Sequence, residues 1–151
     1  MYALMSESLG FLLSDSARLL RREFDARART IGVTRPQWRV LIVLKREEGI
    51  NQGELADRLE VEAITVGRMV DRLQEAGIVE RRADPNDRRA WRLYLTPHSR
   101  ALMEELRPVS ERMIEDTLEG FTPTERETFV NYLERVRANL QRQTGQEAVN
   151  G

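Results

Sequence analysis

The stretch Gly77-Ile78-Val79-Glu80-Arg81-Arg82-Ala83-Asp84-Pro85-Asn86-Asp87-Arg88-Arg89-Ala90-Trp91-Arg92-Leu93-Tyr94-Leu95-Thr96 decides how the rest of the chain is read. Ile78 to Arg82 reads as one strand, and Trp91, Leu93 and Leu95 alternate with Arg92 and Tyr94 in a second. Between them, Asp84-Pro85-Asn86-Asp87 is turn chemistry, because proline fixes one dihedral and Asn or Asp tolerates unusual ones. The expectation is a charged β-hairpin with Arg88 and Arg89 just past its turn, where Asp84 and Asp87 are near enough to orient them.

On either side of this hairpin the apolar period is helical. Val66, Met69, Val70 and Leu73 recur at i, i+3, i+4, i+7, predicting an amphipathic helix from near Glu62 to its stop at Gly77. Before it, Asn51 with Glu54 three residues later reads as a capping-box-like start for a short helix carrying Leu55 and Leu59. Thr34 followed by Pro36 starts a helix through Trp38, Leu41, Ile42 and Leu44 that fades at Gly49. A long first helix is expected over about 7–29, striped by Leu9, Leu13, Ala17, Leu20 and Phe24. After the hairpin, Thr96-Pro97 opens a helix over 97–119 with Leu102, Leu106, Val109 and Met113 at coiled-coil spacing. Thr122-Pro123-Thr124-Glu125 opens the last, over 123–142, striped by Phe129, Leu133, Val136 and Leu140, and the polar residues from Gln143 on are expected to fray.

A short helix, a tight turn, a second amphipathic helix and then a basic hairpin make the winged helix-turn-helix plan. The fold class expected is therefore mainly α with a small β-hairpin wing, in one domain of 151 residues whose DNA-binding core spans about 34–96. The helix ending at Gly77 becomes the recognition helix, and its outward side near the N-terminus presents Ile64, Thr65 and Arg68. Ile64 can meet a thymine methyl and Arg68 a guanine edge or a phosphate. Gly67 between them leaves room for a close approach by the duplex, at a cost of roughly 1 kcal/mol of helix stability. Arg88 and Arg89 at the hairpin tip suit the narrow, electronegative minor groove of A·T-rich DNA. A plainer account makes Ile64 a scattered surface residue, Gly67 drift and the arginines a solvated charge cluster.

The net charge of −1 hides an uneven distribution. Residues 78–98 carry Arg81, Arg82, Arg88, Arg89 and Arg92 against Glu80, Asp84 and Asp87, a basic island of net +2 between a neutral front and an acidic rear. Every basic side chain except Lys45 is arginine, whose planar fork matches phosphate and guanine. Without cysteine there is no disulfide, thiol nucleophile or thiol sensor. The single histidine, His98, sits at a helix start, and no catalytic constellation, phosphate loop or metal-ligand cluster stands out. The chain is expected not to be an enzyme, to need no cofactor and to bind no metal. No apolar run spans a bilayer and no secretory signal opens the chain, which favours the cytoplasm and no membrane partner.

At these residues the chain resembles the MarR family of bacterial regulators, especially its SlyA-like branch. The likeness is carried by Thr34-Arg35-Pro36-Gln37-Trp38-Arg39-Val40-Leu41, by Leu55-Ala56-Asp57-Arg58-Leu59, and by Thr65-Val66-Gly67-Arg68-Met69-Val70-Asp71-Arg72-Leu73. The D-P-x-D-R-R wing followed by Leu95-Thr96 is its most specific part. The resemblance implies a homodimer on double-stranded DNA, a repressor at pseudo-palindromic operators, with the first, fifth and sixth helices as the dimer interface. It puts Ile64, Thr65 and Arg68 at the major groove and Arg88 in the minor groove, with Arg89 supporting it or touching phosphate. Gly67 departs from relatives that carry serine or another polar residue there. The resemblance also implies release by a small aromatic carboxylate, with Arg18 as carboxylate partner and Trp38 as aromatic wall. The plainer account has Trp38 in the core and Arg18 in a surface or interhelical ion pair. A helical dimeric protein-interaction module without DNA binding is the alternative, favoured by the lack of a strongly basic surface.

Overall fold

Capping side chains at Thr34, Asn51, Thr96 and Thr122 stand at helix starts. A computed structural model describes the backbone of residues 2–150 and the side chains of residues 8–145. Its order is α1 (Tyr2–Arg29), α2 (Arg35–Arg46), α3 (Gln52–Leu59), α4 (Ala63–Glu75), β1 (Val79–Ala83), β2 (Trp91–Leu95), α5 (Pro97–Thr117) and α6 (Pro123–Asn150). This is the mainly helical winged architecture expected. α1 and α6 extend beyond the expected ranges, and α6 runs on past Gln143, where fraying was expected.

Thr34 caps α2 in a full box: Gln37 N–H donates to Thr34 Oγ1 and Thr34 N–H to Gln37 Oε1. Glu125 N–H donates to Thr122 Oγ1 at 3.2 Å, and Glu125 Oε2 accepts from Thr122 N–H at 2.8 Å, giving α6 the reciprocal start read from its sequence. Asn51 departs from that pattern. Its Oδ1 accepts from Glu54 N–H at 2.8 Å, but Glu54 answers the Asn51 side-chain amide instead of its backbone. The backbone at Asn51 is occupied elsewhere, bridged to Arg92. Gly49 N–H donates to Leu93 O and Leu93 N–H to Ile50 O, so residues 49–51 lie along β2 as a short extra edge.

The hairpin pairs Val79 with Leu95, Arg81 with Leu93 and Ala83 with Trp91. β1 starts one residue later than the alternation suggested, because Ile78 closes the turn after α4 through its N–H to Leu73 O.

The chain forms two compact units, one up to Met113 and one from Ile114 on. The core of the first joins Phe24, Ala28 and Val33 to Val40, Leu41 and Leu44 of α2, Leu55 and Leu59 of α3, Val66, Val70 and Leu73 of α4, and Leu93 and Leu95 of β2. Each Val, Leu or Phe side chain among these contributes roughly 1.5–3 kcal/mol when fully buried, so this cluster holds α4 and the wing against α2. Of the stripe expected on α1, only Phe24 is buried, while Leu9, Leu13 and Leu20 stay exposed. On α6, Phe129, Leu133 and Leu140 are exposed too. Contiguous open apolar faces of this kind mark interaction surfaces.

Candidate nucleic-acid interface

α3 ends at Glu60, whose φ of 55° and ψ of 44° are left-handed, and Val61 N–H bonds back to Ala56 O. That turn delivers the chain to α4, which buries Val66, Val70 and Leu73 and half-buries Met69. The opposite face is open. Ile64 is 65% exposed, and Thr65, Arg68 and Arg72 are exposed beside it. Glu62 at the N-cap makes no side-chain capping bond and the first turn holds no acid, so the N–H groups there keep no side-chain cap. Arg68 and Arg72 have no ion-pair partner among the described residues. A groove of about 630 Å³ runs between this face and the start of α2, lined by Thr34, Gln37, Thr65, Arg68 and Arg72 among others. Arg72 was not singled out from the sequence, although its spacing of four from Arg68 places it on the same surface.

The wing tip is built by its acids, though not in the way the sequence suggested. Asp84 Oδ1 accepts from Asn86 N–H at 2.8 Å, and Asp84 Oδ2 accepts from Arg92 Nε at 3.0 Å. Asp87 Oδ1 accepts from Arg89 N–H at 2.9 Å. The carboxylates therefore fix the turn's backbone and clasp Arg92, and they do not orient the Arg88 and Arg89 guanidinium groups. The reason is geometric: a carboxylate in a tight turn reaches N–H groups two residues on before it reaches a long neighbouring side chain. The Asn86 N–H and Arg92 hold the Asp84 carboxyl below its usual range.

The basic island thus resolves into two kinds of arginine. Arg81 pairs with Asp71, Arg82 with Glu80 and Arg92 with Asp84. Arg82 also lies 4.0 Å over the Tyr94 ring. Arg88 and Arg89 are exposed and have no ion-pair partner among the described residues. The net charge of the island understates what the tip offers, because Glu80 and Asp84 are spent on Arg82 and Arg92, and Asp87 answers the Arg89 backbone.

The two residues considered for a ligand lie apart in kind. Trp38 is 7% exposed, edge-on to Phe24 with ring centroids 4.9 Å apart, and its indole N–H donates to Asp25 Oδ1 at 2.7 Å. Arg35 Nε lies 2.6 Å from the other Asp25 oxygen. Arg18 is exposed on α1 and pairs with Asp15 one turn before it at 2.6 Å. No hydrogen bond, ion pair or ring contact joins Arg18 to Trp38 among the described residues. Both placements are those of the plainer account.

Comparison with known proteins agrees with this geometry. A model described as the MarR family matches residues 31–90, the segment from the α1–α2 turn through the wing tip. The HTH-type transcriptional regulator YybA of Bacillus subtilis is 29% identical over 126 residues, covering 83% of this chain and 84% of its own. The crystal structure of MarR superposes with a TM-score of 0.75 at 31% identity, covering 89% of this chain and 98% of that one. A MarR mutant from E. coli, solved in complex with operator DNA, superposes with a TM-score of 0.71 at 28% identity, covering 85% and 93%. By its wing, its helix order and these likenesses, the chain belongs to the MarR family of transcriptional regulators.

Proposed function

We propose that the protein is a cytoplasmic, homodimeric, sequence-specific regulator that represses by occupying a pseudo-palindromic operator. α4 enters the major groove with Ile64, Thr65 and Arg68, and the wing lays Arg88 in the flanking minor groove with Arg89 on phosphate. The observation that carries this reading is the division of the arginines: those at the tip and on the outward face of α4 are free, while those within the hairpin are bound. The operator complex of the related E. coli protein supports it. The open apolar faces of α1 and of α6 are each read as surface that a second copy covers, with segments 7–29, 97–119 and 123–142 serving dimerisation and 34–96 serving DNA. Two recognition helices then stand one turn of duplex apart, ~34–36 Å. The Asp84-Pro85-Asn86-Asp87-Arg88-Arg89 wing supports a place in the SlyA-like branch.

Release by a small aromatic carboxylate belongs to this reading on resemblance alone. Arg18 is the exposed cation for it, whereas Trp38 acts only from within the core. The decisive experiment is binding to duplexes enriched from random sequence by the protein itself, measured across salt. A repressor loses affinity steeply as salt rises, because counterions return to the phosphates. Absence of any salt-sensitive binding would favour a protein-interaction module instead.

A further inference from the structure

Arg81 was counted with the basic island, yet its side chain is only 16% exposed and points into the protein. It stands mid-strand in β1, opposite Leu93. Its Nε donates to Gln52 Oε1 at 2.8 Å, its Nη1 to Gln74 Oε1 at 3.0 Å, and its Nη2 to the Gly67 carbonyl at 3.3 Å. Nη1 also lies 2.6 Å from Asp71 Oδ1. Gly67, Asp71 and Gln74 follow the i, i+4, i+7 spacing of one stripe along α4, and Gln52 is the first residue of α3. One guanidinium thus gathers the wing strand, the recognition helix and the start of the preceding helix.

The chemistry suits this task better than it suits DNA. A planar fork with fixed N–H directions holds several acceptors in one geometry, which a lysine cannot do. Asp71 is 62% exposed, so the ion pair by itself adds little. Three further acceptors from two helices converge on the same group, and they define a rotation of α4 about its axis. That rotation decides where Ile64, Thr65 and Arg68 point relative to the wing tip.

We infer that Arg81 is a positioning residue that locks the rotation of the recognition helix to the wing, so that both reading elements meet one duplex as a single surface. The inference rests on the DNA-binding reading above. It predicts that Arg81 touches no phosphate, which separates it from Arg88 and Arg89.

The test compares wild type, Arg81→Met, Arg81→Lys and the double variant Gln52→Leu with Gln74→Leu, each well below its thermal midpoint. The probes are a duplex enriched from random sequence by the wild-type protein and a scrambled duplex of equal length. Arg81→Met and the double variant each lose roughly tenfold or more in affinity for the enriched duplex and prefer it less over the scrambled one. Both keep the wild-type slope of log affinity against log salt, and Arg81→Lys recovers part of the loss. The double variant removes no charge and changes residues that are not core, so it carries the test if Arg81→Met fails to fold. Unchanged affinity in either folded variant overturns the inference. So does a salt slope reduced by about one counterion in Arg81→Met, which would mark a direct phosphate contact. If the wild type enriches no duplex, the DNA reading fails first and takes this inference with it.

Discussion

Arg92 donates from Nε to Asp84 Oδ2 at 3.0 Å, closing the base of the wing turn from the opposite strand. With Asn86 N–H on the other carboxylate oxygen, Asp84 becomes the residue from which the tip is hung. Both bonds favour the ionised form, the Asn86 N–H most, so the Asp84 pKa is lowered in the fold. A lowered carboxylate pKa gives support that is complete above the ordinary carboxylate range and is lost as pH falls through the lowered value. Carbon-detected titration should place Asp84 below a free aspartate, and Arg92→Ala should raise its midpoint. A wild-type midpoint at the ordinary value would show that the turn is not held by charge.

Free guanidinium groups and bound ones should differ in what their loss does. Arg88→Ala is expected to weaken binding to a selected duplex by about 1–3 kcal/mol while leaving the melting temperature unchanged. Arg68→Ala should in addition flatten the preference among sequences, because a base-edge contact discriminates and a phosphate contact does not. Competition binding with single-base variants of the duplex reads this directly. A uniform loss across all variants would reassign Arg68 to the backbone.

Glu60 occupies the left-handed region at the end of α3 with φ at 55°, where the Cβ of any L-residue is crowded. Glu60→Gly removes that crowding at a position whose backbone geometry glycine accepts freely. Urea denaturation should show a gain of about 1 kcal/mol, reduced by the extra entropy of glycine in the unfolded chain. A loss of stability would mean that the Glu60 side chain supplies a contact outweighing the strain.

What could be read from the sequence was local in origin. The face of α4 that carries Ile64 and Arg68 follows from the helical period, and the caps at Thr34 and Thr122 follow from residues three apart. The hairpin followed from Asp84-Pro85-Asn86-Asp87, whose turn chemistry acts over two or three residues. What escaped was tertiary. Arg81 meets Gln52 across 29 positions and Gly67 across 14, so nothing near it in the chain announces that it is bound. Asp84 turned to Arg92, eight positions on, because antiparallel pairing folds that residue back beside it. Trp38 found Asp25 across 13 positions through the packing of α2 on α1, a partner the sequence did not announce, although the core position of Trp38 was one of its two readings.

Gly67 offers the sharpest contrast between the two views. Its missing side chain suggested a place where the duplex comes close. In the fold, a Cβ added there would meet only Gln52 Nε2, at 3.9 Å, an ordinary contact. Its side thus faces the start of α3 and the Arg81 fork, and its carbonyl is one of that fork's acceptors. Alanine keeps the carbonyl and fits the space, and it is the better helix former by roughly 0.8–1 kcal/mol. Gly67→Ala should therefore raise stability in urea by close to that amount and leave affinity for a selected duplex unchanged. If the variant folds more stably yet binds tenfold more weakly, the duplex does approach this position, and the sequence-based account of Gly67 is the right one.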